Sequence, residues 1–198
     1  MDDEFQLGPH RLDAEIYKNL FESRSIFLLG DIHVQSAATL AAQLLWLNAI
    51  KQDEITVYIN SQGGDIDSGL FTIYDTIQWI TSPVSTVCIG EAYSSAGYIL
   101  ASGTRGKRYA YPHSKIMIHG VQTSELSGTQ EEIEAESKRI KLLNQSLMEL
   151  VARHSKQTLS KVKRDFKKDK YFTAEEALKY GLIDEVIEPT KKIPPLKR

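Results

Sequence analysis

Ile55-Thr56-Val57-Tyr58-Ile59, then Asn60-Ser61-Gln62-Gly63-Gly64, then Ile66 to Ile80: this stretch decides the fold. Five consecutive β-branched or aromatic residues favour a strand, and Ser61-Gln62-Gly63-Gly64 reads as a turn. Apolar residues from Ile66 to Ile80 recur at helical spacing. The same strand, turn and helix cycle stands on either side. Upstream, Ser25-Ile26-Phe27-Leu28-Leu29 reads as a strand ended by Gly30-Asp31, with Val34 to Ile50 as the following helix. Downstream, Val84 to Ile89 is a strand broken at Gly90, and Ser94-Ser95-Ala96-Gly97 leads into an apolar helix ending near Gly103. Short apolar runs alternating with longer amphipathic ones predict an α/β fold of strands and crossover helices.

Beyond the third cycle, Arg108-Tyr109-Ala110-Tyr111 and Lys115-Ile116-Met117-Ile118-His119 read as two strands joined through Pro112-His113. Glu131 to His154 then reads as one long charged helix, with Ile133, Ile140, Leu143, Leu147 and Leu150 at a spacing of about 3.5. At 1.5 Å per residue it would span about 36 Å, so it is expected to project and its stripe to need a partner. Leu159 to Phe166 and Ala174 to Tyr180 read as short helices, the second capped by Thr173 and Gly181. No linker divides the chain, so one domain is expected.

Composition narrows the function classes. A net charge of -2 over 198 residues gives no basic surplus for phosphate binding, so nucleic acid is not expected as a partner. No stretch approaches the roughly 20 apolar residues of a membrane span. The acidic start Met1-Asp2-Asp3-Glu4-Phe5 precedes no apolar segment of secretory type, so a soluble cytoplasmic protein is expected. The single cysteine, Cys88, allows no disulfide within the chain and reads as a small buried hydrophobe. The basic end Lys191 to Arg198, stopped by Pro194-Pro195, reads as a solvated tail.

A serine nucleophile needs a base, a group that fixes the base, and backbone donors for the developing oxyanion. Ser94 and Ser95 sit where a strand gives way to a helix, although a Ser-Ser there also serves as a helix cap. The flanking Ala92 and Ala96 do not form the Gly-x-Ser-x-Gly elbow of α/β-hydrolases. His119 closes a strand, where its ring either reaches a site or stays in the core. Asp165 and Asp169 stand among lysines, and the residues alone do not choose between them. Gly63-Gly64 permits close backbone approach or simply a tight turn, and no Gly-Lys-Ser/Thr follows to make a phosphate loop.

Ile59-Asn60-Ser61-Gln62-Gly63-Gly64, Ile73-Tyr74-Asp75-Thr76, Gly90-Glu91-Ala92-Tyr93-Ser94 and Pro112-His113-Ser114-Lys115-Ile116-Met117-Ile118-His119 resemble the ClpP proteases in order and spacing, from about Ile16 to Ile187. The resemblance implies Ser94 as nucleophile, His119 as base and Asp169 as the orienting carboxylate. The segment Asp169-Lys170-Tyr171-Phe172-Thr173-Ala174 fits the family context that Asp165 lacks. It further implies oxyanion donors at the amides of Gly64 and Ser95, and no metal or other cofactor.

The implied fold is a crotonase-like spiral of strand-helix units, one domain over 1–198 with an N-terminal segment 1–15, a projecting handle 120–154 and a tail 188–198. The implied function is that of a serine endopeptidase, the proteolytic subunit of an ATP-dependent Clp-type protease. It would degrade unfolded polypeptides inside stacked heptameric rings, with a separate Clp-type unfoldase ATPase and a ClpP paralogue as partners. Leu45, Tyr58, Val87, Tyr109 and Ile187 map to the unfoldase-docking pocket, with Thr56 where an aromatic residue is common. A low-activity ring subunit that modulates a paralogue, and a crotonase-type acyl-CoA enzyme, are the alternatives. Several positions depart from the family. Gln62 replaces a proline, Tyr93 and Ser95 flank the nucleophile, Gly120 to Glu125 lacks the usual Gln-Pro, and Lys167-Lys168 replaces an acidic-basic pair. These departures predict a weak or latent peptidase when the chain acts alone.

Overall fold

In the computed structural model, residues 9–123 and 127–188 are described. After α1 (Pro9–Glu22), the chain lays down β1 (Ser25–Ile32), β2 (Ile55–Gly64) and β3 (Val84–Tyr93), each followed by a helix: α2 (Val34–Ile50), α3 (Phe71–Trp79) and α4 (Ser95–Ala101). The three strands are parallel neighbours. β4 (Arg108–Ala110) and β7 (Glu185–Val186) continue the parallel sheet in the order β1-β2-β3-β4-β7. β5 (Lys115–Ile118) pairs with the far end of β3, and β6 (Lys170–Thr173) pairs antiparallel with β5. α5 (Gln130–His154), α6 (Leu159–Asp165) and α7 (Ala174–Tyr180) complete the α/β fold.

The pattern of side chains explains this order. Ile55, Val57 and Ile59 are fully buried on one face of β2. Among the described strands, β3 alone is buried at five successive positions, Val84 to Cys88, as a central parallel strand requires. Cys88 is buried within it, and burial raises its thiol pKa, which leaves it an inert packing residue.

Several expectations are refined. The two strands expected at Arg108–Tyr111 and Lys115–His119 do not pair with each other. Both pair with β3, β4 at Thr86–Cys88 and β5 at Glu91–Tyr93. The handover falls at Gly90, where Asn60 of β2 accepts a hydrogen bond from the Glu91 amide at 3.2 Å. A Cβ on residue 90 would lie 2.6 Å from that same Asn60 oxygen, so a larger residue there would have to displace the Asn60 side chain from this hydrogen bond. The helix expected over Ile66–Ile80 opens with a π turn, Ile66–Leu70, before α3 begins. Ser61 to Gly64 belongs to β2 instead of forming a free turn. α1, β6 and β7 were not anticipated.

α5 starts on a capping box in which Thr129 and Glu132 satisfy each other's amides. Only Leu147, Leu150 and Val151 of this helix are buried, all in its last third, while Ile133 and Leu142 are exposed. Its first half therefore stands away from the core with part of its apolar stripe uncovered. The expected N-terminal segment, the Ser124-Glu125 part of the handle and the tail fall largely at residues 1–8, 124–126 and 189–198, outside the described residues. Among the described residues, no helix is long and apolar enough to cross a membrane.

One buried ion pair ties the second half of the chain to the sheet. Arg108 on β4, 4% exposed, meets Asp184 with both carboxylate oxygens engaged, at 2.8 and 2.6 Å. Burial works against the Asp184 charge, but the Arg108 contacts and the Gly106 and Arg108 amides outweigh it and hold the carboxyl below its usual range. Removing one partner strands the other in the interior. Asp184→Ala is expected to cost about 3–5 kcal/mol in urea unfolding. A change within experimental error would contradict the role given to the pair.

Candidate active site

Strand register builds the site. Tyr93, the last residue of β3, pairs with Met117 of β5, so Ser94 and His119 leave the sheet next to each other. Met117 in turn pairs with Tyr171, and Ile118 with Lys170, in antiparallel sense. One step further along this ladder, His119 faces Asp169. Three short segments, far apart in sequence, thus deliver their end residues to one corner of the sheet.

Ser94 occupies the turn between β3 and α4 with φ 53 and ψ -124. A residue with a Cβ pays on the order of 1–3 kcal/mol for such a conformation, which the surroundings must impose. Here the Ser94 amide donates to the Met117 carbonyl at 2.9 Å, and the Ser94 carbonyl accepts from the amides of Gly97 and Tyr98 at 2.9 and 3.3 Å. Gly63, at φ +97, lies against the turn: a Cβ there would come within 2.7 Å of the Ser94 Cβ and 2.6 Å of the Tyr93 carbonyl. Glycine is therefore needed for the Gly63-Gly64 segment and the serine turn to approach this closely.

The Ser94 Oγ and His119 Nε2 atoms are 2.7 Å apart, within hydrogen-bond distance. On the other side of the ring, His119 Nδ1 lies 3.5 Å from Asp169 Oδ1, in contact but longer than a hydrogen bond. Nδ1 is buried with no hydrogen-bond partner among the described residues. The same Asp169 oxygen accepts a hydrogen bond from the Gln122 side-chain amide at 3.2 Å. Burial lowers the His119 pKa, and the opposing attraction of Asp169 does not restore it.

Asp165 serves elsewhere. Its carboxylate accepts from Lys161 at 2.6 Å and from the Tyr180 hydroxyl at 2.8 Å, and pairs with Lys170 at 3.0 Å. Ser95 opens α4 fully buried, and Gly64 ends β2, so both candidate backbone donors flank the serine turn. Beside Gly64 opens a cleft of about 400 Å³, with Asp65, Asp67, Val121, Gln122 and Arg139 on its walls. It is large enough to hold an amino-acid side chain. Another cleft, of about 510 Å³ and lined by Arg105, Arg153 and His154 among others, includes none of these residues. No cluster of three or more metal-ligating side chains occurs among the described residues.

Two contributors had no counterpart in the sequence reading. The Tyr98 hydroxyl, one turn along α4, donates to the backbone carbonyl of His119 and anchors the histidine from below. Gln122 engages Asp169. A buried tyrosine on an apolar helix carries no sequence signal of its own, because its partner is a backbone atom.

The family model described as Clp protease matches residues 10–190. The chain belongs to the Clp protease family. This Clp protease chain is accordingly a peptidase by family, and its α/β fold agrees with that membership. The residues expected at the unfoldase-docking pocket are partly aligned in the sheet of the Clp protease chain. Tyr58, Val87 and Tyr109 stand in register across β2, β3 and β4, and Phe27 stacks on Tyr58 at 5.3 Å between ring centres. Leu45 of α2 is half exposed.

Proposed function

We propose that the chain is a serine endopeptidase in which Ser94 attacks the scissile carbonyl. The observation that carries this reading is the 2.7 Å approach of Ser94 Oγ and His119 Nε2 at a strained strand-to-helix turn. The serine hydroxyl donates to Nε2, the proton passes to His119 as the C–O bond forms, and His119 then returns it to the leaving amine. Water enters and gives a proton to the same ring as its oxygen bonds to the acyl carbon, and the ring passes that proton to Ser94 Oγ as the ester C–O bond breaks and the acid leaves. The amides of Gly64 and Ser95 receive the oxyanion, and Asp169 faces Nδ1 to stabilise the imidazolium. Substrates are unfolded polypeptides, delivered by a Clp-type unfoldase ATPase into a chamber formed by stacked heptameric rings in the cytoplasm.

The loose Asp169 contact supports a second element of the reading, that a lone subunit rests in a weakly active state. Gln122 holds the carboxylate oxygen that His119 would use, and Gly120 to Glu125 is where the family pattern is missing. A neighbouring ring, of this chain or of a ClpP paralogue, would supply the contact that closes the gap. The uncovered stripe of α5 offers the surface. The test compares hydrolysis of a fluorogenic peptide by the purified chain with hydrolysis by its mixture with a catalytically dead paralogue, alongside native mass spectrometry. Large assemblies and a higher rate in the mixture are expected. Only monomer at micromolar concentration would refute the rings, and vigorous activity unchanged by the partner would refute the latency. A crotonase-type enzyme would show no peptide hydrolysis in either arm.

The pH profile follows from the His119 environment. A carboxylate partner alone would raise the pKa of the base, yet burial dominates and lowers it. His119 accepts a proton only when neutral, so activity falls as pH drops and the acidic limb of kcat/KM lies below the ordinary histidine value of about 6.5. A limb centred well above that value would contradict the balance of burial over Asp169.

A further inference from the structure

The Gly63-Gly64 segment combines a requirement for accuracy with unusual backbone freedom. Its glycines have φ +97 and +150, and a Cβ at residue 64 would lie 2.0 Å from the Ile32 carbonyl oxygen, so neither position admits a stiffer residue. Two consecutive glycines hold no fixed geometry by themselves. Yet an oxyanion donor acts only if it is aimed before the charge develops.

Two buried serine hydroxyls grip this pair from either end. Ser61, 1% exposed, accepts a hydrogen bond from the Gly63 amide at 3.1 Å. Ser95, wholly buried, donates its hydroxyl to the Gly64 carbonyl at 2.8 Å. The following amide, Asp65, is held by the Ile32 carbonyl at 2.8 Å. Ser95 therefore bears on both donors: its own amide is one, and its hydroxyl pins the Gly64–Asp65 peptide unit while Ser61 pins the Gly63 amide, so that the intervening Gly63–Gly64 peptide, which carries the other donor, is held between two fixed units.

We propose that the Ser95 hydroxyl is a positioning group that sets the Gly64 amide relative to the Ser95 amide, with Ser61 as its counterpart at the other end of the glycine pair. This rests on the serine-peptidase reading, and deepens it by giving the side chain next to the nucleophile a task of its own. The brace touches no substrate. It orders two donors, so it matters where the oxyanion exists and little in the ground-state complex.

The test uses the full chain in its assembled form, with a fluorophosphonate to count reactive sites and a peptide boronate as a tetrahedral mimic. Per titrated site, Ser95→Ala is expected to lower kcat about 10- to 100-fold, less than outright removal of a donor, with KM within about twofold. Boronate affinity should fall in parallel with kcat. Ser95→Cys, a closer isostere with a weaker donor, should lie between, and Ser61→Ala should lower kcat without adding fully to Ser95→Ala in the double variant. If Ser95→Ala fails to fold, Ser95→Cys and Ser61→Ala carry the same comparison. Unchanged kcat and boronate affinity per site in these variants overturn the brace while leaving the serine mechanism standing. A wild-type chain that neither hydrolyses peptide nor reacts with the fluorophosphonate overturns the mechanism, and the brace with it.

Discussion

Ser94→Ala is expected to remove peptide hydrolysis, by on the order of 10⁴- to 10⁶-fold in kcat, whereas Ser95→Ala should retain measurable turnover. The size of the effect follows from the role. Without the hydroxyl there is no covalent intermediate, and only substrate binding and the backbone donors remain. Because alanine keeps a Cβ at φ 53, the strain of the turn stays, and the thermal midpoint should move little. Ser94→Gly provides the complementary result: it should be equally inactive yet more stable by about 1 kcal/mol, since glycine tolerates that conformation. The reverse outcome, with Ser95→Ala dead and Ser94→Ala active, would show that the nucleophile sits one position further along.

Asp169→Asn is the second large effect, a loss on the order of 10²- to 10⁴-fold in kcat in the assembled enzyme. An amide presents no charge to the imidazolium and can favour the wrong tautomer of His119. The contact spans 3.5 Å in the single chain, so the penalty should be smaller in the isolated subunit than in the active ring. Asp165→Asn separates the two acids. Its carboxylate is committed to Lys161, Lys170 and Tyr180, whose hydrogen bonds overcome the effect of burial and lower its pKa. That variant should lose stability and leave kcat per active site nearly intact. Equal kinetic losses from the two substitutions would remove the distinction.

The three strand-helix cycles were legible because each strand was dominated by β-branched or apolar residues and each was followed by a longer apolar-rich helical stretch. The ladder that assembles the site was not. β6 is four residues with Lys170 and Thr173 at its ends, too short and too polar to register as a strand, so Asp165 and Asp169 stayed equivalent until the family resemblance separated them. Once β6 pairs with β5, Lys170 falls opposite Ile118, which brings Asp169, and not Asp165, beside His119. The π turn at Ile66–Leu70 was hidden for a different reason, since a single wide turn leaves the helical period of Ile66 to Ile80 nearly unchanged. Hydrogen bonds to backbone atoms, such as Ser95 to Gly64 and Tyr98 to His119, leave no pairing in the sequence at all.

The central claim is that Ser94 is a nucleophile activated by His119. Its most direct test is labelling of the purified chain with a fluorophosphonate, followed by mass-spectrometric mapping of the modified residue. The account predicts one adduct, on Ser94, formed by the wild type and lost in both Ser94→Ala and His119→Ala. An adduct on Ser95 or another serine, or labelling of Ser94 that persists without His119, would contradict it.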